Sequence, residues 1–119
     1  MTDDRCLFCG IGAGKPVVPK LYEDDLVYAI DIPDDHPKKL APVHFMVIPR
    51  AHRKSALELT DADAETAGRL FTTAARLARD KGIADSGFRL ATNTGPHANQ
   101  TEMHFHLHCI GGRQLAREG

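Results

Sequence analysis

The sequence predicts an α+β fold, in which an antiparallel β-sheet packs against one long helix. Strand-like segments stand on both sides of a single amphipathic helical pattern, and neighbouring strands can pair as hairpins. Neither an internal repeat nor a linker rich in Pro and Gly interrupts the 119 residues. We therefore expect one domain over residues 1–119, built around one hydrophobic core.

The strands are predicted where β-branched and aromatic residues are concentrated. The four segments are LVYAIDI at 26–32, FMVIP at 45–49, FRLATN at 88–93 and MHFHLHCI at 103–110. The polar connection PDDHPKKLAPVH, which joins the first two, is expected to be a solvated loop.

The one long helical pattern is predicted from Asp61 to Lys81. Thr60 is a suitable N-cap, and Asp63, at the third helical position, completes an acidic version of the capping box. Gly82 is a suitable C-terminal stop. One face of the helix should pack against the sheet, since apolar residues recur at spacings of three and four at Ala67, Leu70, Phe71, Ala74, Leu77 and Ala78.

Composition and charge argue against several kinds of partner. The formal net charge of -1 provides no broad attraction to nucleic acid or anionic lipid. Binding of RNA through Lys38, Lys39, Arg50, Arg53 and Lys54 is the least favoured alternative. No run approaches the ~20 apolar residues that cross a bilayer, and the acidic N-terminus lacks the apolar core of a signal peptide. We expect a soluble, cytoplasmic protein with no membrane partner.

The segment HFHLHCI, residues 104–110, places three histidines at alternate positions. On a strand, His104, His106 and His108 would share one face, and the apolar residues between them would face the core. Successive histidines would stand ~6.6 Å apart, too far for one zinc ion with bonds of ~2.0–2.1 Å to bind all three easily. A solvated polar face is the plain alternative. Since histidine has a pKa near ~6.5, one ring can act as a nucleophile while another donates a proton.

This segment resembles the signature of the histidine triad (HIT) family of nucleotide hydrolases and transferases. Other segments resemble the family in the same order, namely LYEDDLVYAIDI, VHFMVIPRAH, LATNTG and NQTEMHFHLH, and GGRQ resembles its Hint-like branch. The resemblance covers residues 6–114. It implies a HIT-like fold whose sheet continues across a two-fold homodimer, and a purine nucleotide substrate of the AMP type.

The resemblance also implies a mechanism. His106 would attack the α-phosphorus and form a nucleotidyl-histidine that water resolves, while a backbone carbonyl of its own strand holds the other ring nitrogen. His108 would donate a proton to the leaving group or balance its charge, and His44 would support the triad together with His104. The implied substrate-binding residues are Ile30, Asp31 and Ile32 around the nucleoside, and Asn93, Gln100 and Thr101 around the phosphate and leaving group.

Three reactions or activities remain open on this basis. The favoured one is hydrolysis of a nucleoside phosphoramidate, which releases a nucleoside monophosphate. The alternatives are hydrolysis of a dinucleoside polyphosphate, and a nucleotide-binding or partner-binding module with little catalysis.

The cysteines of the CLFC segment suit either a tetrahedral metal or a redox pair. Some HIT-like proteins complete such a site with two histidines, and the matching residues here are His52 and His104. The resemblance therefore implies a structural zinc ion bound by Cys6, Cys9 and these histidines. Cys109 lies on the apolar side of the histidine strand and is expected to be buried.

The chain departs from the family pattern at three places. The connection at 33–43 is longer than usual and adds Lys38 and Lys39, Glu102 places a negative charge just before the triad, and the chain contains no Trp after GGRQ. The resemblance places the connection and the tail near the leaving-group side and Glu102 close to the phosphate path, so a preference for aminoacyl or phosphoramidate substrates stays open.

Overall fold

The predicted α+β class is confirmed. The computed structural model describes residues 5–117, so the two ends of the predicted domain, residues 1–4 and 118–119, lie outside the described residues. The strands are β1 (Tyr22–Glu23), β2 (Val27–Asp31), β3 (Val43–Pro49), β4 (Phe88–Ala91) and β5 (Leu107–Gly111), and the helices are α1 (Leu7–Gly12) and α2 (Ala64–Asp80). The strands form one antiparallel sheet in the order β1-β2-β3-β5-β4.

Helix α2 begins and ends with the capping residues that the sequence predicts. The Thr60 hydroxyl accepts a hydrogen bond from the Ala62 N–H, and the Asp63 carboxylate accepts one from the Thr60 N–H, so the capping box is present. Its first residues, Asp61–Asp63, form a turn of 3₁₀-helix before the α-helix proper. At the other end Gly82 adopts a positive φ of 78°, which a glycine reaches without steric cost.

The prediction that Phe71 belongs to the buried face of helix α2 is wrong. Leu70, Ala74 and the residues one turn further are buried against the sheet, but Phe71 is 51% exposed. Thr73, which is fully buried, occupies the interface instead. The buried stripe therefore centres on Leu70 and Ala74, and Phe71 lies one residue, or about 100°, outside it.

The two faces of the sheet carry different parts of the core. The face toward α2 buries a large cluster that includes Val27, Phe45 and Leu107. The opposite face buries a smaller cluster in which α1 covers the sheet, with Phe8 and Ile11 packed near Met46. The histidine-rich segment lies on this second side, where Phe8 makes edge contacts with two of its rings.

The last strand is shorter than predicted. We expected a strand over 103–110, but β5 begins at Leu107, and the residues before it leave the sheet. The Phe105 N–H donates to the Arg53 carbonyl at 2.6 Å instead of pairing with a strand. The predicted alternation of side chains is nevertheless confirmed, since Phe105, Leu107 and Cys109 all belong to the core cluster under α2. Among the described residues no helix is long and apolar enough to cross a bilayer.

Candidate functional site

Helix α1 brings the two cysteines of the CLFC segment together. Cys6 is the N-cap of this helix, and Cys9 lies three residues later, so both sulfurs project from the same side. The Cys6 sulfur accepts a hydrogen bond from the Cys9 N–H at 3.4 Å. The sequence contained the cysteine spacing but gave no independent signal for this short helix.

Four side chains meet at this point: Cys6, Cys9, His52 and His104. Their ligand atoms all lie within 4.8 Å of one another. Nδ1 of His104 is 3.1 Å and 3.5 Å from the two sulfurs, and 3.2 Å from Nδ1 of His52. Nδ1 of His52 is 3.3 Å from the sulfur of Cys9. A tetrahedron with Zn–S bonds of ~2.3 Å and Zn–N bonds of ~2.0–2.1 Å has S···N and N···N edges of about 3.3–3.6 Å. The cluster therefore has the donor set and the dimensions of a closed tetrahedral metal site.

The second ring nitrogen of His104 fixes which nitrogen is free to bind a metal. Nε2 lies 2.7 Å from the Pro49 carbonyl, which can only accept, so Nε2 carries the hydrogen. Nδ1 therefore presents its lone pair to the cluster. Burial lowers the pKa of His104 to about 4, although the bond to Pro49 opposes this shift. The neutral ring that a metal requires is the state that this environment favours.

His106 is held in a complementary way. Its Nδ1 lies 2.7 Å from the backbone carbonyl of His104, so Nδ1 donates and Nε2 keeps its lone pair. The ring is 8% exposed and contacts the edge of Phe8, with the ring centroids 5.2 Å apart. Burial is the main cause that lowers the pKa of His106 below its usual value. A neutral imidazole with an oriented lone pair has the state that a nitrogen nucleophile needs.

His108 is oriented by a chain of hydrogen bonds that starts on the backbone. The Leu40 N–H donates to Nδ1 of His44 at 3.1 Å, so the hydrogen of His44 lies on Nε2. Nε2 of His44 is 2.9 Å from Nδ1 of His108 and donates to it. The hydrogen of His108 is thereby placed on Nε2. Burial lowers the pKa of His44, and burial followed by the charges of His106 and His44 lowers that of His108 to about 4.

The neighbouring rings of His106 and His108 therefore present opposite hydrogen-bonding functions. The centroids of His106 and His108 are 4.8 Å apart. His106 presents a lone pair on Nε2, whereas His108 presents an N–H on Nε2. The two neighbouring rings therefore offer a nucleophile and a hydrogen-bond donor, which are the two functions that displacement at phosphorus with an assisted leaving group requires.

The predicted nucleoside-binding residues lie at the end of β2. Ile30 and Ile32 are buried in the cluster on the histidine side of the sheet. Asp31 points elsewhere, since Nζ of Lys81 contacts both carboxylate oxygens, at 2.9 Å and 3.0 Å. A pocket of about 300 Å³ opens here and is lined by Asp31, Ile32, Pro33, Asp34, Lys39, Pro42, Val43 and Lys81. Binding of a ribose by Asp31 stays a prediction, and it requires Lys81 to share or release the carboxylate.

The loop before the triad uses much of its polar capacity internally. Gln100 donates to the carbonyls of Lys54 and Glu102 and accepts from the Gly95 N–H, so its amide braces the loop. Thr101 is exposed, and its hydroxyl accepts from Nζ of Lys38 at 2.9 Å. Asn93 follows β4 and is exposed. Contact of these three residues with a substrate stays a prediction.

Sequence reasoning placed the long 33–43 connection near the leaving-group side but missed its contacts with His44 and with Thr101. We expected a solvated loop, but its Leu40 N–H orients His44, and Nζ of its Lys38 donates to Thr101 in the loop before the triad, residues 92–103, which we call the triad loop. The guanidinium of Arg113, from the GGRQ segment, donates to the Leu40 carbonyl at 2.7 Å and anchors the loop from the other side. A backbone N–H carries no sequence signature, so only the unusual loop length could have drawn attention to it.

Comparison with known proteins supports the resemblance seen in the sequence. The family profile of the HIT domain matches residues 18–115. The purine nucleoside phosphoramidase of Escherichia coli (strain K12) is 38% identical over 95 residues, which is 80% of this chain and 76% of that protein. A 14 kDa zinc-binding protein of Brassica juncea is 37% identical over 97 residues, or 80% of this chain and 81% of its own length. The solved structure of a HIT family hydrolase from Clostridium thermocellum superposes with a TM-score of 0.90 at 34% identity, covering 98% of both chains.

Proposed function

Because the chain belongs to the histidine triad (HIT) family, whose members include hydrolases, we propose that it cleaves a bond to the α-phosphorus of a purine nucleotide. The reaction proceeds through a covalent intermediate on His106 and releases a nucleoside monophosphate. A nucleoside phosphoramidate is the favoured substrate, in line with the activity named for the relative from Escherichia coli.

The reaction consists of two displacements at phosphorus. In the first, Nε2 of His106 forms a bond to the α-phosphorus, and the bond from phosphorus to the leaving group breaks. His108, which takes up a second proton beside the anionic phosphate, passes its Nε2 proton to the departing nitrogen or oxygen and is left as a neutral ring. In the second, water attacks the phosphorus, gives a proton back to His108, and breaks the phosphorus–nitrogen bond, which restores His106.

The single observation that carries this proposal is the pairing of oriented tautomers. The carbonyl of His104 holds His106 with its lone pair outward, and the bonds through His44 hold His108 with its N–H outward. A row of histidines that served only as a solvated polar face would not need each hidden nitrogen bonded to a fixed partner.

We further propose that Cys6, Cys9, His52 and His104 bind a structural zinc ion. Four protein ligands leave no open coordination position, so the ion would stabilise the fold and take no part in the displacement. The residue that would bind it through its side chain, His104, also holds His106 through its backbone carbonyl. Loading of the site would thereby stiffen the support of the nucleophile.

Two other expectations belong to this proposal. A two-fold homodimer is supported by β4, a sheet edge that within the described residues pairs only with β5. Light scattering of the purified protein tests the dimer directly, with a mass of two chains expected.

A dinucleoside polyphosphate remains the alternative substrate, because the same two histidines would act on it.

The covalent step is tested by mass spectrometry of the intact protein after mixing with adenosine 5′-phosphoramidate and quenching. We expect a mass increase of one adenylyl group in the wild type and in His97→Ala, whose exposed histidine lies outside the triad. The same experiment with His106→Ala should show no adduct. An adduct that persists without His106 would refute the assignment of the nucleophile.

A further inference from the structure

We propose that Lys38 binds a phosphate group of the leaving group and so lets this site accept, beside the favoured phosphoramidate, nucleotides whose leaving group is a phosphate ester or anhydride. This inference rests on the proposed function, since it concerns the second partner of the same reaction. It also bears on which of the two substrate classes the site prefers.

The loop that carries Lys38 is fixed on the site at several points. Its Leu40 N–H bonds to His44, and its Leu40 carbonyl accepts from Arg113. Within the loop, Nδ1 of His36 accepts from the Lys38 N–H at 3.1 Å. Nζ of Lys38 then crosses to the triad loop and donates to the Thr101 hydroxyl at 2.9 Å. The ammonium is therefore placed beside the triad by the loop's own hydrogen bonds.

The ammonium of Lys38 differs from those of the neighbouring lysines in its partner. Lys39 forms an ion pair with Asp34, and Lys81 forms one with Asp31. Among residues 5–117 no carboxylate forms an ion pair with Lys38, and its bonded partner is the neutral hydroxyl of Thr101. A cation with a neutral partner can bind an anion without first breaking a salt bridge.

The ammonium of Lys38 lies on the side of the triad where the leaving group is expected. Burial, with the charges of His106 and His44, lowers the pKa of His108, and the Lys38 charge adds to this shift. The ring of His108 presents its N–H to the leaving group in the proposed reaction, and Thr101 precedes the triad by three residues. An additional phosphate on that side would meet the ammonium, whereas an amine would leave it without an anionic partner.

The same contact could be purely structural: Lys38 would then only fix the 33–43 connection to Thr101, a role that we call the latch. Two variants separate the readings. Lys38→Met removes the charge and the latch together, whereas Lys38→Gln removes the charge and keeps an N–H donor for the Thr101 hydroxyl. Lys38→Arg keeps the charge, and Lys15→Met is a control for the loss of one exposed lysine elsewhere in the chain.

The experiment compares kcat/KM for diadenosine triphosphate, whose leaving group is ADP, with kcat/KM for adenosine 5′-phosphoramidate, whose leaving group is ammonia. Lys38→Met should lower the ratio of the two values by about 10- to 100-fold, the range of one hydrogen bond to a charged group. Lys38→Gln should lower the ratio as Lys38→Met does, Lys38→Arg should recover most of it, and Lys15→Met should preserve it. An unchanged ratio in Lys38→Met, or a ratio that Lys38→Gln restores, would overturn the proposal.

A binding measurement keeps this test independent of turnover. If the wild type cleaves neither substrate, the proposed function fails, but calorimetry with ADP and AMP still examines Lys38. We then expect Lys38→Met to weaken binding of ADP relative to AMP by about tenfold, because only ADP carries the additional phosphate. Equal affinities of the variant and the wild type for ADP would contradict the role of Lys38.

Discussion

The substitution His44→Phe tests whether a hydrogen-bond chain orients the proton donor. Phenylalanine keeps the ring volume of a side chain that is 2% exposed, so a large cavity is avoided. It removes both bonds of His44, the one from the Leu40 N–H at 3.1 Å and the one to His108 at 2.9 Å. The protein should fold, but His108 would lose the partner that places its hydrogen on Nε2.

The magnitude follows from the bond that is lost. Loss of the partner leaves the buried Nδ1 of His108 unsatisfied, which costs about 1–3 kcal/mol and corresponds to a factor of about 5 to 150 in favour of the bonded tautomer and orientation. We therefore expect kcat/KM for adenosine 5′-phosphoramidate, whose leaving nitrogen requires a proton, to fall by about that factor. For the p-nitrophenyl ester of AMP, whose leaving group departs without a proton, the fall should be about threefold or less.

Steady-state kinetics of both substrates on His44→Phe and His97→Phe provide the measurement. His97 is an exposed histidine outside the triad, so its replacement controls for the change of residue type. Equal losses on the two substrates would refute the reasoning, because they would show that His44 acts on something other than proton donation by His108.

Three further predictions concern the metal site, the pH dependence of folding and the packing of the last strand. Cys9→Ser should abolish stoichiometric zinc binding, measured by elemental analysis, and lower Tm by roughly 10 °C; a chelator should lower Tm in the wild type and leave the variant unaffected. Because burial holds the pKa of His108 at about 4 against ~6.5 in the unfolded chain, the unfolded state binds the extra proton between these values. The contribution of His108 to the free energy of unfolding should thus fall by up to about 3 kcal/mol as pH drops from 6.5 to 4, and a flat urea-denaturation profile over that range would contradict this. In Gly111→Ala the new Cβ would lie 2.9 Å from Cδ1 of Ile83, which should cost about 1–3 kcal/mol, whereas Gly68→Ala, with no neighbour within 4 Å, should be neutral or stabilising.

The parts of the fold that sequence could predict are those set by local rules. The capping box at Thr60 and the stop at Gly82 depend on residues within one helical turn, and both are present. The alternation around Leu107 depends on the two-residue period of a strand, which is equally local. The family resemblance added the grouping of Cys6, Cys9, His52 and His104, which no local pattern contains.

What sequence missed depends on contacts between distant segments. The departure of residues 103–106 from the sheet follows from a bond between the Phe105 N–H and the Arg53 carbonyl, 52 positions earlier in the chain. The engagement of Lys38 with Thr101 and of Leu40 with His44 likewise joins segments that no periodicity relates. The prediction that Phe71 packs against the sheet was wrong because the buried face of α2 includes Thr73 in place of Phe71. The spacing of apolar residues does not predict that a threonine is buried.

The central claim, a covalent intermediate on His106, is tested most directly by stereochemistry at phosphorus. Each displacement inverts the configuration of the α-phosphorus, so two successive displacements return it to the original one. A nucleoside phosphoramidate that is chiral at phosphorus through a sulfur substituent, hydrolysed in ¹⁸O-labelled water, reports the outcome. We predict net retention of configuration in the released nucleoside monophosphorothioate. Net inversion would show that water attacks phosphorus in a single step, and it would contradict the proposed role of His106.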